Sequence, residues 1–335
     1  MSTSDPAPLL WLNAADVLAA LPPLEERLRL AEVVMTALAV PGGAQLPPKV
    51  GVAPRGEGSF TDAMPAWLRG AGNDPAGDLL GIKWVTVFPG NNDHGVPAIG
   101  ATVVINDPHT GFPVAILDGG PITAHRTAAV SGVILRRWGP GVTGRATRVA
   151  LIGAGAQGAS HLPVLGGVLA GCEVAISDVD GGRAGALRDR AAATPGIAGA
   201  RVAASPRDAI DGADVVVTVA SFGPVRQVMT NDWLAEHVTV VPVDYATYCS
   251  AEVARTAALW LVDEKAQFLH KRDEGLFDGY PDPPLSIGEA ILSGTPRPTG
   301  RVVGTHLGVG LSDVVFGDAI VRRARELGLG TPLPR

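Results

Sequence analysis

Apolar positions divide the chain into regions of different texture. Between residues 13 and 40, Leu24, Leu28, Ala31, Met35 and Leu38 recur at three- and four-residue spacing, the period of a helix with one buried face. Pro22 and Pro23 stand where a helix would begin, a place that tolerates a missing N–H. Residues 41–80 are rich in Gly and Pro and predict short strands, such as Lys49 to Ala53, joined by turns. Residues 82–88, 98–105 and Phe112 to Leu117 alternate or run apolar and β-branched and predict strands. Asp107-Pro108-His109-Thr110-Gly111, between the latter two, has hairpin-turn composition. The first third thus predicts a helix followed by largely antiparallel sheet.

The middle of the chain changes character. Arg148 to Ile152, Glu173 to Ser177, Val215 to Ala220, Val238 to Val243 and Leu259 to Val262 are short apolar strands separated by Ala-rich, helix-compatible stretches. That alternation predicts parallel pairing and a doubly wound sheet. Thr127 to Trp138 predicts a connecting helix, Gly139 to Thr147 a linker, and residues 312–328 a final helix with Val314, Val315, Ala319, Ile320 and Ala324 on one period. There is no internal repeat and no low-complexity tail.

At the join between textures, Val149 to Ile152 runs into Gly153-Ala154-Gly155-Ala156-Gln157-Gly158. G-x-G-x-x-G means little by itself in a chain with 43 Gly among 335 residues. After an apolar strand and before a helix, it predicts a dinucleotide loop. Gly153 permits the tight turn, Gly155 lets backbone approach a pyrophosphate, and the helix start at Ala156 and Gln157 supplies unpaired N–H groups. Asp178 ends the next strand, placed to accept from both ribose hydroxyls and to repel a 2′-phosphate, so NAD is expected over NADP. Thr218, on the strand Val215 to Ala220, completes the candidate cofactor contacts. Pro163, about two turns into the following helix, predicts a kink or a short first helical segment, since proline there costs about 3 kcal/mol.

Charge narrows the function further. The net charge of −6 and the lack of a basic, aromatic-interleaved stretch argue against nucleic-acid binding. No apolar run is long enough for a membrane span, and the N-terminus lacks a signal pattern. The two cysteines, Cys172 and Cys249, form neither a disulfide framework nor a zinc site; they read as reduced core thiols of a cytoplasmic protein, and no metal is expected. Lys83 is the only charged residue between Leu79 and Phe88, and a charge in an apolar strand is costly unless paired. It either holds an anion or snorkels from a sheet edge. Arg126, after a Gly-rich turn, either joins it or is a surface residue near a helix start.

Lys83 to Asn91 (K-x-V-x-x-x-P-x-N), Gly95-Val96-Pro97, Thr110-Gly111-Phe112-Pro113, Asp118-Gly119 to Arg126-Thr127-Ala128-Ala129, Gly153 to Gln157 and Met64-Pro65-Ala66 together resemble the ornithine cyclodeaminase/μ-crystallin family across roughly residues 45–320. The resemblance implies that Lys83 and Arg126 bind a substrate carboxylate beside the nicotinamide. It implies that Lys49, where the family often has Arg, assists as a point charge. It places Asp62 where the cyclodeaminases meet the distal amine of their substrate, and Asp244 where a base or proton relay follows the fifth strand of the nucleotide domain. The alternative for Asp244, read alone, is a strand-end turn residue.

The chain departs from the family at Tyr245 to Glu252, which replaces a Pro-Gly-Lys-x-Glu-like run, and at Thr305-His306-Leu307-Gly308, which replaces Ser-x-Gly. His306 there either contacts cofactor or substrate or is structural. The implied architecture is α/β: a Rossmann-type doubly wound parallel sheet (residues 128–311) inserted in an α+β substrate-binding and dimerisation domain (residues 1–127 plus 312–335), with a homodimer and a site in the crevice between domains. The implied activity is NAD(H)-dependent oxidoreduction at the α-amino or imino carbon of a small amino or imino acid. The alternative is an ornithine/lysine cyclodeaminase-type lyase using catalytic NAD⁺, and a non-enzymatic nucleotide-dependent binder is a further class.

Overall fold

The computed structural model describes residues 8–55, 58–70, 77–221 and 226–335. The chain forms two compact units: unit 1 is Met1–Arg126 with Val309–Arg335, and unit 2 is Thr127–Gly308.

Unit 1 opens with β1 (Leu9–Leu12), and Asn13 then caps α1 (Ala14–Ala19) in a reciprocal box with Asp16. Leu21-Pro22-Pro23 ends that turn, and α2 (Leu24–Ala39) starts directly after Pro23. The helix expected over 13–40 is therefore two helices, because residues preceding proline are pushed out of helical geometry. Next come β2 (Ala44–Gln45), β3 (Val50–Arg55), β4 (Ser59–Leu68), β5 (Leu79–Val87), β6 (Ile99–Asn106) and β7 (Pro113–Asp118). Their sheet runs β7-β6-β5-β4-β2, with β3 also on β4, all antiparallel. β1 adds to β7 in parallel.

Helix α3 (Gly119–Trp138) begins eight residues earlier than Thr127, where the sequence predicts it. Asp118 Oδ1 accepts the Gly120 N–H at 2.8 Å, and Pro121 falls within the first turn, where no N–H is needed. A Gly-Gly-Pro string that reads as a turn is thus a helix start, and Arg126 lies two turns inside the helix rather than at its beginning. The division between units falls at this residue.

In unit 2 the chain continues through β8 (Arg148–Ile152), α4 (Ala156–Val168), β9 (Cys172–Ser177), α5 (Gly181–Ala192), β10 (Ile197–Val202), α6 (Pro206–Ile210), β11 (Val215–Thr218), β12 (Thr239–Pro242), α7 (Ala251–Thr256), β13 (Leu259–Val262), α8 (Lys265–Asp273), β14 (Leu285–Ser286), α9 (Ile287–Leu292) and β15 (Val302–Thr305). The sheet is wholly parallel, in the order β10-β9-β8-β11-β12-β15-β13-β14. From β8 the chain moves outward to β9 and β10, then returns to β11 on the other side. This is a doubly wound sheet whose direction reverses between β8 and β11. Pro163 does not give α4 a short first segment: the helix runs on to Val168 with His161, Leu162, Val164 and Leu165 buried, so packing outweighs the local cost.

The last helix, α10 (Gly310–Leu327), returns to unit 1 and packs across β4, β5 and β6, and β16 (Thr331–Leu333) pairs with β1. The helix lies close on the sheet because side chains are missing where they meet. A Cβ on Gly310 would stand 2.5 Å from the Met64 carbonyl oxygen, and one on Gly317 2.9 Å from Ile105 Cδ1.

Candidate active site

In unit 2, β8 delivers Gly153 between the ends of its neighbours. Its N–H donates to Ser177 O at 2.8 Å. At φ +115°, a Cβ there would stand 2.6 Å from Val219 O, so only glycine fits. Gly153→Ala is expected to cost at least about 2 kcal/mol from backbone strain and overlap together, read as a fall in thermal midpoint and in dinucleotide affinity.

Gly155 is the N-cap of α4, carries no capping side chain, and has no atom within 4 Å of where a Cβ would lie. Ala156, next to it, is exposed. The start of α4 therefore presents backbone donors to open space, which suits a pyrophosphate. Gly158 lets the helix close on the turn: its Cβ would lie 2.3 Å from Gly153 O. Asp178 accepts from the N–H groups of Ala154 (2.7 Å) and Asp180 (2.8 Å), which ties the loop to the end of β9. Arg183 approaches Asp178 at 3.9 Å while pairing with Asp180 at 3.1 Å. Gln157 Oε1 is buried with no hydrogen-bond partner among the described residues. Open donors, a ribose-type carboxylate and an orphaned amide oxygen fit a dinucleotide.

Asp244 follows β12 and is 1% exposed. Thr218, at the end of β11, donates to its Oδ1 at 2.8 Å, so this hydroxyl is committed to a carboxylate. Burial pushes the Asp244 carboxyl up to about 7, with hydrogen bonds from Thr218 and from the backbone of Ala220 and Tyr248 pulling the other way. Its Oδ2 is buried without a hydrogen-bond partner among the described residues. The next residue, Tyr245, is held at φ +55°, a left-handed conformation that costs a non-glycine residue energy. A half-neutral, buried carboxyl beside strained backbone is suited to proton transfer near neutral pH.

Unit 1 gathers the cations. β4 and β5 place Met64 opposite Lys83 and Asp62 opposite Val85, so Asp62 and Lys83 share one face of the sheet. On that face lies the first turn of α10 with Asp313, which is 0% exposed. The Lys83 ammonium contacts Asp313 Oδ2 at 2.7 Å in off-axis ion-pair geometry. Arg126 donates from Nε to Oδ1 at 3.2 Å. Lys83 is brought down to about 7 by burial, against the attraction of Asp313 and with the repulsion of Arg126 and Lys49. Lys49, half-buried just before β3, thus belongs electrostatically to the same cluster. Neither alternative for Lys83 and Arg126 as surface residues holds: both are buried.

Asp313 is the residue that sequence reasoning missed. The signal was there: an acid inside the apolar stretch Val309 to Phe316, and a lysine in an apolar strand that required a partner.

The sequence pattern of the ornithine cyclodeaminase/mu-crystallin family matches residues 19–271. The chain belongs to this family. Nodulation efficiency protein NfeD of Rhizobium meliloti is 32% identical over 332 residues, covering 97% of this chain and 98% of its own. Ketimine reductase mu-crystallin of Mus musculus is 29% identical over 283 residues, covering 82% of this chain and 83% of its own. Among solved structures, an archaeal alanine dehydrogenase dimer with bound NAD superposes with a TM-score of 0.80 at 26% identity, covering 97% of this chain and 99% of that one.

In this member of the ornithine cyclodeaminase/mu-crystallin family, the unusual Tyr245-to-Glu252 run is tied into unit 2. Tyr245 packs on Phe277, Cys249 O accepts from Tyr280, and Glu252 accepts the Asn231 N–H at 2.7 Å. His306, the other departure, bonds through Nε2 to Ser131 Oγ at 2.9 Å, and the same oxygen meets His161 Nε2 at 2.9 Å. His161 Nδ1 reaches Gln157 O at 2.7 Å, and burial brings the imidazole down to about 4. Both cysteines are free, buried and pushed up by burial, Cys172 to about 11 and Cys249 to about 12, so they are inert thiols. Among the described residues no group of His, Cys, Asp or Glu is arranged to hold a metal, and no helix is long and apolar enough to cross a membrane.

Proposed function

We propose that the chain is an NAD(H)-dependent oxidoreductase that reduces the imine of a small α-imino acid or oxidises the corresponding α-amino acid. The observation that carries this reading is the buried Lys83–Asp313–Arg126 cluster, two cations on one acid, in a chain that also carries a dinucleotide cradle. Its net positive charge wants one more anion, and a substrate carboxylate supplies it.

A bound nicotinamide supplies or accepts the hydride. The protein's own part is recognition and proton handling. Lys83 and Arg126, helped by Lys49, hold the carboxylate and so orient the α-carbon. Asp244, poised near neutrality, gives a proton to the nitrogen in reduction and takes it back in oxidation. Gly153, Gly155, Ala156 and Gln157 form the pyrophosphate cradle, and Asp178 takes the ribose. Thr218 acts through Asp244. The Asp178 carboxylate disfavours a 2′-phosphate, so NAD is the preferred cofactor, and Arg183, engaged with Asp180, does not reverse this.

The assay mixes the protein with NADH and a small α-keto acid plus an amine, and separately with NAD⁺ and alanine, proline, lysine or ornithine. Net change in NADH absorbance, at least about tenfold better in kcat/KM than with NADPH, is expected. Ammonia release from lysine or ornithine without net NADH change would instead assign a cyclodeaminase, with Asp62 meeting the distal amine. Neither signal would return the chain to a binding role.

The reading extends to a cytoplasmic homodimer. The face of the unit 1 sheet opposite Lys83 leaves Trp84 45% exposed, with Ile82, Val104 and Ile116 half-buried around it. An apolar sheet face of this kind suits a second copy. A solution mass of one 34.3 kDa chain would overturn the assembly.

A further inference from the structure

We propose that Asp313 is a positioning residue for the substrate carboxylate, bridging Lys83 and Arg126 so that both side chains are held in place before the ligand arrives. The inference rests on the carboxylate-binding reading above and names the residue that makes it work.

The geometry gives Asp313 this task in three ways. It sits in the first turn of α10 and is fully buried, so it has no solvent to satisfy it and must keep its cations. It uses one oxygen for each: Oδ2 for Lys83 at 2.7 Å and Oδ1 for Arg126 at 3.2 Å. It engages Arg126 through Nε, the base of the guanidinium, which leaves the two terminal nitrogens outside this contact. An ammonium has three donors, and the off-axis contact with Oδ2 engages at most one of them. Each cation therefore keeps donors for a second anion while the first holds it still.

Charge explains why the acid is needed. Lys83 faces Asp313 from α10, Arg126 from α3 and Lys49 from the approach to β3, with Asp62 on its own sheet face. Burial and two neighbouring cations all favour neutral lysine, and Asp313 is the charge that opposes them. Without it Lys83 loses its proton at neutral pH and becomes a neutral amine, which grips a carboxylate poorly. With it Lys83 holds its proton up to about 7, and the protonated trio carries one net positive charge, matched by one carboxylate. The position on α10 is held by packing, since Gly310 lies against Met64, the residue opposite Lys83.

The test is steady-state kinetics of full-length Asp313→Asn from pH 5 to 9, with NADH and pyruvate plus methylamine, beside dinucleotide affinity measured by fluorescence. Expected are a 10- to 100-fold rise in KM for the imino acid at pH 7, a smaller change in kcat, and a basic limb of kcat/KM displaced at least one pH unit downward. Dinucleotide affinity stays as in wild type. A merely structural Asp313 would lower the thermal midpoint but leave KM and the limb of the folded enzyme where they were, and that result overturns the proposal. If Asp313→Asn does not fold, Asp313→Glu decides. It keeps the charge and displaces it, so a raised KM with the limb unmoved supports the role, and wild-type values for both refute it. Lys83→Met separates this failure from that of the underlying reading: unchanged KM in that variant removes the carboxylate site itself, whatever Asp313 does.

Discussion

Lys83→Met abolishes turnover and leaves the dinucleotide bound within about 1 kcal/mol of wild type. The first half follows from burial. Lys83 is 1% exposed, so its ammonium has no structural reason to be there except the anions it holds. Removing one partner of a buried charged contact costs about 2–5 kcal/mol, which in kcat/KM is a loss of roughly two to four orders of magnitude. The second half follows from topology. Lys83 is on β5 of unit 1, whereas Gly153, Gly155, the start of α4 and Asp178 all belong to unit 2. Titration of the variant with NADH, followed by fluorescence, checks the binding, and the absorbance assay checks the turnover. Loss of dinucleotide affinity alongside activity would sink the assignment of Lys83 to the substrate.

Asp244→Asn slows turnover by about two to four orders of magnitude, the usual worth of a positioned acid or base, yet gains stability relative to wild type as the pH rises. The sign follows from the raised carboxyl. Below its ordinary carboxylate value Asp244 is protonated in both folded and unfolded chains, and its linked stability is complete. Between there and about 7 the folded chain holds a proton that the unfolded chain has lost, so stability falls as pH rises through this window. Above about 7 the loss is complete, at most roughly 4 kcal/mol from the one-unit equivalence of 1.36 kcal/mol. Asparagine carries no charge to bury, though it places an amide N–H where Oδ2 now lacks a partner, a cost of about 1–3 kcal/mol. Thermal midpoints of the two proteins at pH 5 and pH 8 test this. The variant must improve on wild type between them, and a pH-independent difference would mean that Asp244 is not the buried acid described.

What could be read from the sequence was local. Gly153 to Gly158 announces its turn within six residues, and its strand and helix flank it directly. Lys83 is conspicuous because nothing else charged lies near it in the chain. The misses are the features whose meaning depends on remote partners. Leu9 to Leu12 is too short to show a strand period, and it is a strand only because β7 and β16 pair with it. Gly119-Gly120-Pro121 looks like a turn until Asp118 caps it and the following twenty residues prove helical. Pro163 breaks a local rule that the burial of α4 overrides. Asp313 is visible as an oddity in an apolar helix, but its pairing with Lys83 exists only once α10 lies on β5.

The small chain of contacts around Ser131 has a direction. The carbonyl of Gln157 can only accept, so His161 must carry its proton on Nδ1, and a neutral imidazole then has a lone pair on Nε2. Ser131 must spend its one proton on that lone pair, which leaves its oxygen to accept from the Nε2–H of His306. Every proton in the series is thereby assigned, from His306 through Ser131 and His161 to the first turn of α4. A neutral His306 is held as the tautomer with its lone pair on Nδ1. Whatever group meets that side of the ring meets an acceptor, and the choice was made at the carbonyl of Gln157.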